Sequence, residues 1–89
     1  MQKIIFSDIK RKIAEFSAET LTFERQEGSL LISASGEMLY QDTPALEELN
    51  ANNHTCFVTV LKGNETVVDG QFHVTFFTLE PDNIVAALA

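Results

Sequence analysis

One cysteine, no tryptophan, two prolines and four glycines in 89 residues leave several chemistries without material. A lone thiol, Cys56, cannot close an intrachain disulfide and suits a reducing compartment, so a cytoplasmic location is expected. The four glycines form neither G-x-G-x-x-G nor a phosphate loop. No apolar run approaches the roughly 20 residues of a membrane-spanning helix. Charges break up the amino-terminal segment, which argues against a signal-type apolar region. On that reading the triplets Asn53-His54-Thr55 and Asn64-Glu65-Thr66 are accidental matches to a glycosylation signal.

Bases are the other scarcity. Six Lys and Arg face thirteen Asp and Glu, for a net charge of −7. Five of the bases fall within residues 1–26, and Lys62 is the only one after them. A surface of this sign repels phosphate backbones, which argues against direct nucleic-acid binding, and it complements a basic surface on a protein. Carboxylates in such numbers also confer solubility without any partner.

What the chain has in abundance is Val, Thr and Phe, densest in Thr55–Leu79. Gly63-Asn64 and Asp69-Gly70 carry residues that tolerate positive φ and suit two-residue hairpin turns. Together they predict a three-stranded antiparallel meander over 55–62, 65–68 and 71–79. In that register Lys62 faces Glu65, and Val60, Val67 and Phe72 form one row. Cys56, Val58, Val74 and Phe76 follow on the same face. The opposite face carries Phe57, Thr59, Leu61, Thr66, His73, Thr75, Phe77 and Leu79. Covered by a helix, Phe57 and Phe77 belong to a core; uncovered, they form an apolar patch of the kind that marks a protein–protein surface.

Residues 7–18 read as an amphipathic helix, with Ser7 as N-cap, Ile9, Ile13 and Phe16 as the inward stripe, and Asp8 and Lys12 as an i,i+4 pair. Residues 20–35 read as a hairpin around Glu27-Gly28, with Gln26 opposite Ser29, Phe23 opposite Ile32 and Leu21 opposite Ala34. Gly36 bends or ends the second of these strands. A short helix over 44–50 follows, capped by Thr43, begun by Pro44 and buried through Leu46 and Leu49. Pro81 stops the last strand, and residues 84–89, IVAALA, suggest a final short helix. The sum is one α+β domain over 1–89: about five antiparallel strands, a hairpin plus a meander, with an N-terminal, a middle and a C-terminal helix. At this length roughly 60–65% of the unfolded surface is buried, enough for an ordinary core.

Catalytic and metal-binding patterns are thin. His54, Cys56 and His73 are the only soft ligands, one short of a structural zinc set, and His73 projects to the other face from Cys56. The same facing argues against a Cys-His nucleophilic pair. Ser33 and Ser35 lie outside any G-x-S-x-G elbow, and Glu47 and Glu48, adjacent on a helix, point apart. No cofactor is implied. The expectation is a small acidic protein-binding domain (adaptor, inhibitor or immunity-type factor, with nucleic-acid mimicry as one version) and not an enzyme. Glu37, Asp42, Glu47 and Glu48, in the segment between the strand groups, are the expected partner-binding residues. The alternatives are a self-associating subunit, such as a homodimer, that uses a sheet face or edge, and a small-ligand module.

Overall fold

The computed structural model describes residues 2–9, 11–51 and 55–89. Its elements run β1 (Gln2–Ser7), β2 (Lys12–Gln26), β3 (Ser29–Gln41), α1 (Thr43–Ala51), β4 (Thr55–Lys62), β5 (Glu65–Glu80) and β6 (Asn83–Leu88). The six strands close in the order β1-β2-β3-β6-β5-β4, with β4 returning to pair with β1. Two antiparallel meanders, β1-β2-β3 and β4-β5-β6, are joined edge to edge, and α1 carries the chain from one to the other.

Alternation along each strand sends one set of side chains into the barrel. Ile4, Phe6, Phe16, Ile32, Val58, Val60, Val74, Ile84 and Leu88 are fully buried there, with Cys56 beside them. Ala14, Ala18, Ala34 and Ala86 interleave with these larger groups. A six-stranded barrel is narrow, and small residues opposite Phe and Ile let its interior fill without strain. Phe6 meets Phe76 edge to face, with ring centroids 5.3 Å apart. Each fully buried Val, Leu, Ile or Phe contributes about 1.5–3 kcal/mol.

Closure of so few strands needs sharp coiling, and β-bulges supply it. The ladders skip one residue at Ile13 and Glu19 of β2, at Leu39 of β3, and at Val67 and Phe77 of β5. A bulged residue leaves the inward–outward alternation. Leu39, Val67 and Phe77 are accordingly turned to solvent, at 48%, 39% and 65% exposure. Ile13 is the exception: it is buried in the same core cluster as Ala45, Leu46 and Leu49 of α1.

These facts overturn the α+β expectation. The domain is a closed six-stranded antiparallel barrel with one short helix, not five strands with helices on a face. Residues 7–18 form no helix: Ser7 ends β1, Ile9 lies exposed in a turn, and Lys12 begins β2. The stripe Ile9, Ile13, Phe16 imitated helical spacing because the Ile13 bulge interrupts a period-2 pattern. Asp8 pairs with Arg11 rather than Lys12. Residues 83–88 are strand β6, with Ile84, Ala86 and Leu88 inside; alanine's helix propensity yields there to tertiary packing.

The meander is also different. Asp69-Gly70 is not a turn, and β5 runs straight through it, pairing Asp69 with Thr59 and Gly70 with Val58. Val60 stands opposite Val68, Phe72 stands opposite Cys56, and Val67 faces solvent, so the row Val60–Val67–Phe72 does not exist. Gly36 does not end β3, which continues to Gln41.

Other elements agree with the sequence reading. The β2–β3 hairpin has the expected register from Gln26–Ser29 to Leu21–Ala34, turning at Gly28 with φ +75°. Lys62 pairs with Glu65 around Gly63, at φ +62°. Leu46 and Leu49 are the buried side of α1.

Candidate functional site

The densest polar convergence lies where the β1–β2 turn meets α1. Asp8 and Arg11 close the turn on themselves. The Asp8 amide donates to the Arg11 carbonyl and the Arg11 amide donates to Asp8 Oδ1, both at 2.9 Å. This local geometry aims the Arg11 guanidinium at α1. Its Nη2 is 3.1 Å from Glu48 Oε2, and its Nε is 3.8 Å from Asp8 Oδ2 and 4.0 Å from Asp42 Oδ2. One cation is thus shared among three carboxylates.

Asp42 has a second task. Its Oδ1 accepts from the Ala45 amide at 3.1 Å, and its carbonyl accepts from Leu46 at 2.9 Å. It is therefore the N-cap of α1, the place expected for Thr43, and Thr43 is the first helical residue instead. The Asp42 amide donates to the Ile13 carbonyl at 2.8 Å, which ties the cap to the bulge in β2.

Beside this cluster is an open recess of about 580 Å³, lined by Ile9, Arg11, Glu48, Thr55, Phe57 and Gln71 among others. Ile9 is 89% exposed and Phe57 36%, so apolar side chains stand beside the charged ones in its lining. Cys56 also lines it, but as a buried side chain whose thiol is pushed up to about 11, by burial first and by the Asp8 charge second. A thiol held protonated is a poor nucleophile.

A second cluster lies on the outer wall of β1 and β2. Glu15 accepts from Lys12 at 2.5 Å and from Lys3 at 3.1 Å. Hydrogen bonds first from Lys12 and then from Lys3 hold its carboxyl below the usual glutamate range, against a smaller opposing effect of burial. Lys12 also lies 5.9 Å from the centre of the Tyr40 ring.

The four expected partner-binding acids are not brought together as one patch. Asp42 and Glu48 turn part of their charge onto Arg11. Glu47 is exposed on α1, and Glu37 lies on β3 opposite Ser17, in a separate recess with Gln2 and Glu19. Arg11 is the residue that sequence reasoning passed over, lying within the stretch expected to be the helix 7–18. The signal was an Asp and an Arg bracketing a three-residue step, a spacing that suits a side-chain-closed turn as well as a helix.

His73 sits on the outer wall opposite Thr55, and Cys56 points inward. His54 lies outside the described residues. Among the described residues no group of three or more His, Cys, Asp or Glu is placed to hold a metal, and no helix is long and apolar enough to cross a membrane. Comparison with protein-family models, with curated proteins and with solved structures finds no match.

Proposed function

We propose that this barrel is a small acidic protein-binding domain, an adaptor, inhibitor or immunity-type factor that occupies a basic surface on another protein. One observation carries the reading: the ion pairs take up three of the bases and leave carboxylates in excess on the outer surface. Lys3 and Lys12 are spent on Glu15, and Arg11 on Asp8, Asp42 and Glu48. Among the described residues, Glu19, Glu24, Glu27, Glu37, Glu47, Glu65, Asp69, Glu80 and Asp82 have no such ion pair. Such a field speeds encounter with a basic partner and disfavours phosphate backbones. Within it, Glu37 on β3 and Glu47 on α1 offer carboxylates to the partner at separate places, and Asp42 and Glu48 add charge shared with Arg11.

The test is partner capture by the tagged domain at low and at high salt, beside the double variant Glu37→Lys/Glu47→Lys. A partner that is captured at low salt, released by salt, and bound more slowly by the variant supports the reading. Binding indifferent to both reduces the carboxylates to solubility residues. Mimicry of nucleic acid is the version in which a nucleic acid competes with the domain for that partner.

Self-association is the second reading. The outward-turned Leu39, Val67 and Phe77 favour it, since apolar side chains on an outer wall can be covered by another copy. Sedimentation that shows a monomer at high concentration removes it.

A further inference from the structure

We infer that two copies of the domain pair face to face through the outer wall formed by β5, β6, β3 and β2, with Phe77 as the anchor. The inference rests on the self-association reading above and names its surface and its chemistry.

Register and alternation place the side chains of this wall. Ile32, Ala34, Val74, Ile84 and Ala86 are buried inside the barrel, so their neighbours along the strands face out. Three rows then cross the four strands on the outside. Thr75, Ala87, Leu31 and Glu24 form the first, and Thr78, Val85, Ser33 and Thr22 the second. Glu80, Asn83, Ser35 and Thr20 form the third. Phe77, the residue that the ladder skips beside Thr78, stands outside at 65% exposure. The middle row carries no charge. The outer two carry one carboxylate each, Glu24 on β2 and Glu80 on β5, at diagonally opposite corners.

The opposite wall, built by the first half of β5 with β4, β1 and β2, is different. Its middle row is Asp69, Thr59, Ile5 and Glu15, and Lys3 and Lys12 hold Glu15 in ion pairs of 3.1 and 2.5 Å. Covering that wall would strip water from charges of both signs. Covering the wall of β5, β6, β3 and β2 strips it from methyl groups, hydroxyls and one aromatic ring, which costs far less.

Charge also selects the occupant, a second copy of this chain. Each copy carries a net −7, so two copies repel wherever their carboxylates meet. They approach at least cost where each presents its charge-free face. A two-fold axis sets this wall against itself, uncharged row against uncharged row. With that axis along or across the strands, the diagonal placement of Glu24 and Glu80 leaves the four carboxylates of the pair at four separate corners. A basic partner gains nothing here, since its charges would be buried without counter-charges. Four strands about 4.8 Å apart and five residues at about 3.3 Å each make a wall of roughly 15 by 15 Å, well short of the ~800 Å² per partner of a stable interface. The pair is therefore a weak one, and Phe77 is its large apolar anchor.

The test is self-association of the 89-residue chain, read by sedimentation equilibrium and by the concentration dependence of its 15N amide shifts. A dimer with a dissociation constant on the order of 100 µM is expected, with the shifts gathered at Thr75, Phe77, Val85 and Ser33. It should tighten several-fold as salt rises from about 0.05 to about 0.5 M, because screening relieves repulsion between the copies. That sign is opposite to the salt release expected of a basic partner. Phe77→Ser and Thr75→Glu, both at exposed positions, should each weaken the dimer on the order of tenfold or more with the thermal transition retained. Leu39→Ser and Val67→Ser, exposed but outside the wall, should leave it unchanged. Should a variant fail to fold, the shift map of the parent chain still decides the matter. A dimer indifferent to Phe77→Ser and Thr75→Glu, or shifts gathered on the opposite wall, overturns the inference and leaves the self-association reading standing. A dimer that salt loosens is held by charge and overturns it too. A monomer at about 1 mM in high salt, well above the expected constant, removes both this wall and the self-association reading, and leaves the acidic-binder reading to its own capture test.

Discussion

Gly36 on β3 lies so close to Ser17 on β2 that a β-carbon built on it would stand 2.0 Å from the Ser17 carbonyl oxygen. The close approach sits beside the Glu19 bulge, where Ala18 pairs with Gly36 and Thr20 with Ser35. The three nearest atoms, the Ser17 carbonyl oxygen, Ala18 Cα and the Glu19 amide nitrogen, are all backbone, so none can swing away. Gly36→Ala should therefore cost at least the upper part of the ~1–3 kcal/mol typical of overpacking. That corresponds to a fall in melting temperature on the order of 10 °C or more. Gly70→Ala is the control: its β-carbon would meet only the Phe72 ring at an ordinary 3.5 Å. It should be neutral, or stabilise by up to about 1 kcal/mol through the unfolded chain. Equal losses from the two would mean that β2 and β3 do not approach as described.

Phe16 and Phe77 test which aromatic rings hold the barrel. Phe16 is wholly buried and Phe77 is the 65%-exposed bulge residue of β5. Phe16→Ala should cost about 3–5 kcal/mol, and Phe77→Ala less than about 0.5 kcal/mol, by chemical denaturation. A large loss at Phe77 would place that ring in the core after all.

The local turns were readable from sequence because their chemistry is local. Glu27-Gly28 and Gly63-Asn64 set the registers of β2–β3 and of the first β4–β5 pairs, and Leu46 and Leu49 showed the buried side of α1. Closure was not readable, since the β1–β4 and β3–β6 joints link segments far apart in sequence and leave no short-range mark. The bulges did the most damage. Ile13 made a strand look helical, and Val67 moved Val60 from its expected partner to Val68. A bulge changes the face of every later residue, and no residue type announces it at these positions. The candidate acids were legible as residues, but Arg11, which binds two of them, became visible only once the β1–β2 turn was placed against α1.

Stability should depend on pH through Glu15 at the acid end. Its folded carboxyl titrates below the ordinary glutamate value because Lys12 and Lys3 donate to it. The stabilisation is present above the unfolded pKa of about 4.3 and is lost as pH falls through the lower folded value. Melting temperatures measured between about pH 6 and pH 3 should therefore fall less steeply for Glu15→Gln than for the parent. Identical slopes would show that the two lysines do not hold the carboxylate in solution.

Cys56 sets the opposite limit. Its thiol, raised to about 11, is protonated across the neutral range. The unfolded thiol ionises near 8.5, so stability is complete below that value and declines as pH rises toward the folded pKa. Iodoacetamide at about pH 8 should leave the native domain unmodified and label the denatured chain rapidly, with labelling read by mass. Rapid labelling of the native protein would contradict the 2% exposure of this residue.

The start of α1 gives the last prediction, because three neighbouring side chains there have different tasks. Asp42 caps the helix through Ala45, fastens it to Ile13 through its own amide, and reaches Arg11 weakly at 4.0 Å. Asp42→Ala removes the cap and should cost about 0.5–2 kcal/mol, the usual range for such substitutions. Thr43, exposed at the first helical position, offers no side-chain cap, so Thr43→Ala should change stability by less than about 0.5 kcal/mol. Glu48→Ala breaks the 3.1 Å contact with Arg11, but both side chains are largely solvated, so its effect should stay within the ~0–1 kcal/mol of surface pairs and shrink in salt. The expected order of loss is Asp42, then Glu48, then Thr43, measured by chemical denaturation at low salt. At high salt Glu48 and Thr43 should converge, with Asp42 still apart, because a cap hydrogen bond is screened far less than an exposed ion pair. If Thr43→Ala proves the costliest, the helix begins one residue later than described, and Asp42 is free to serve a partner instead of α1.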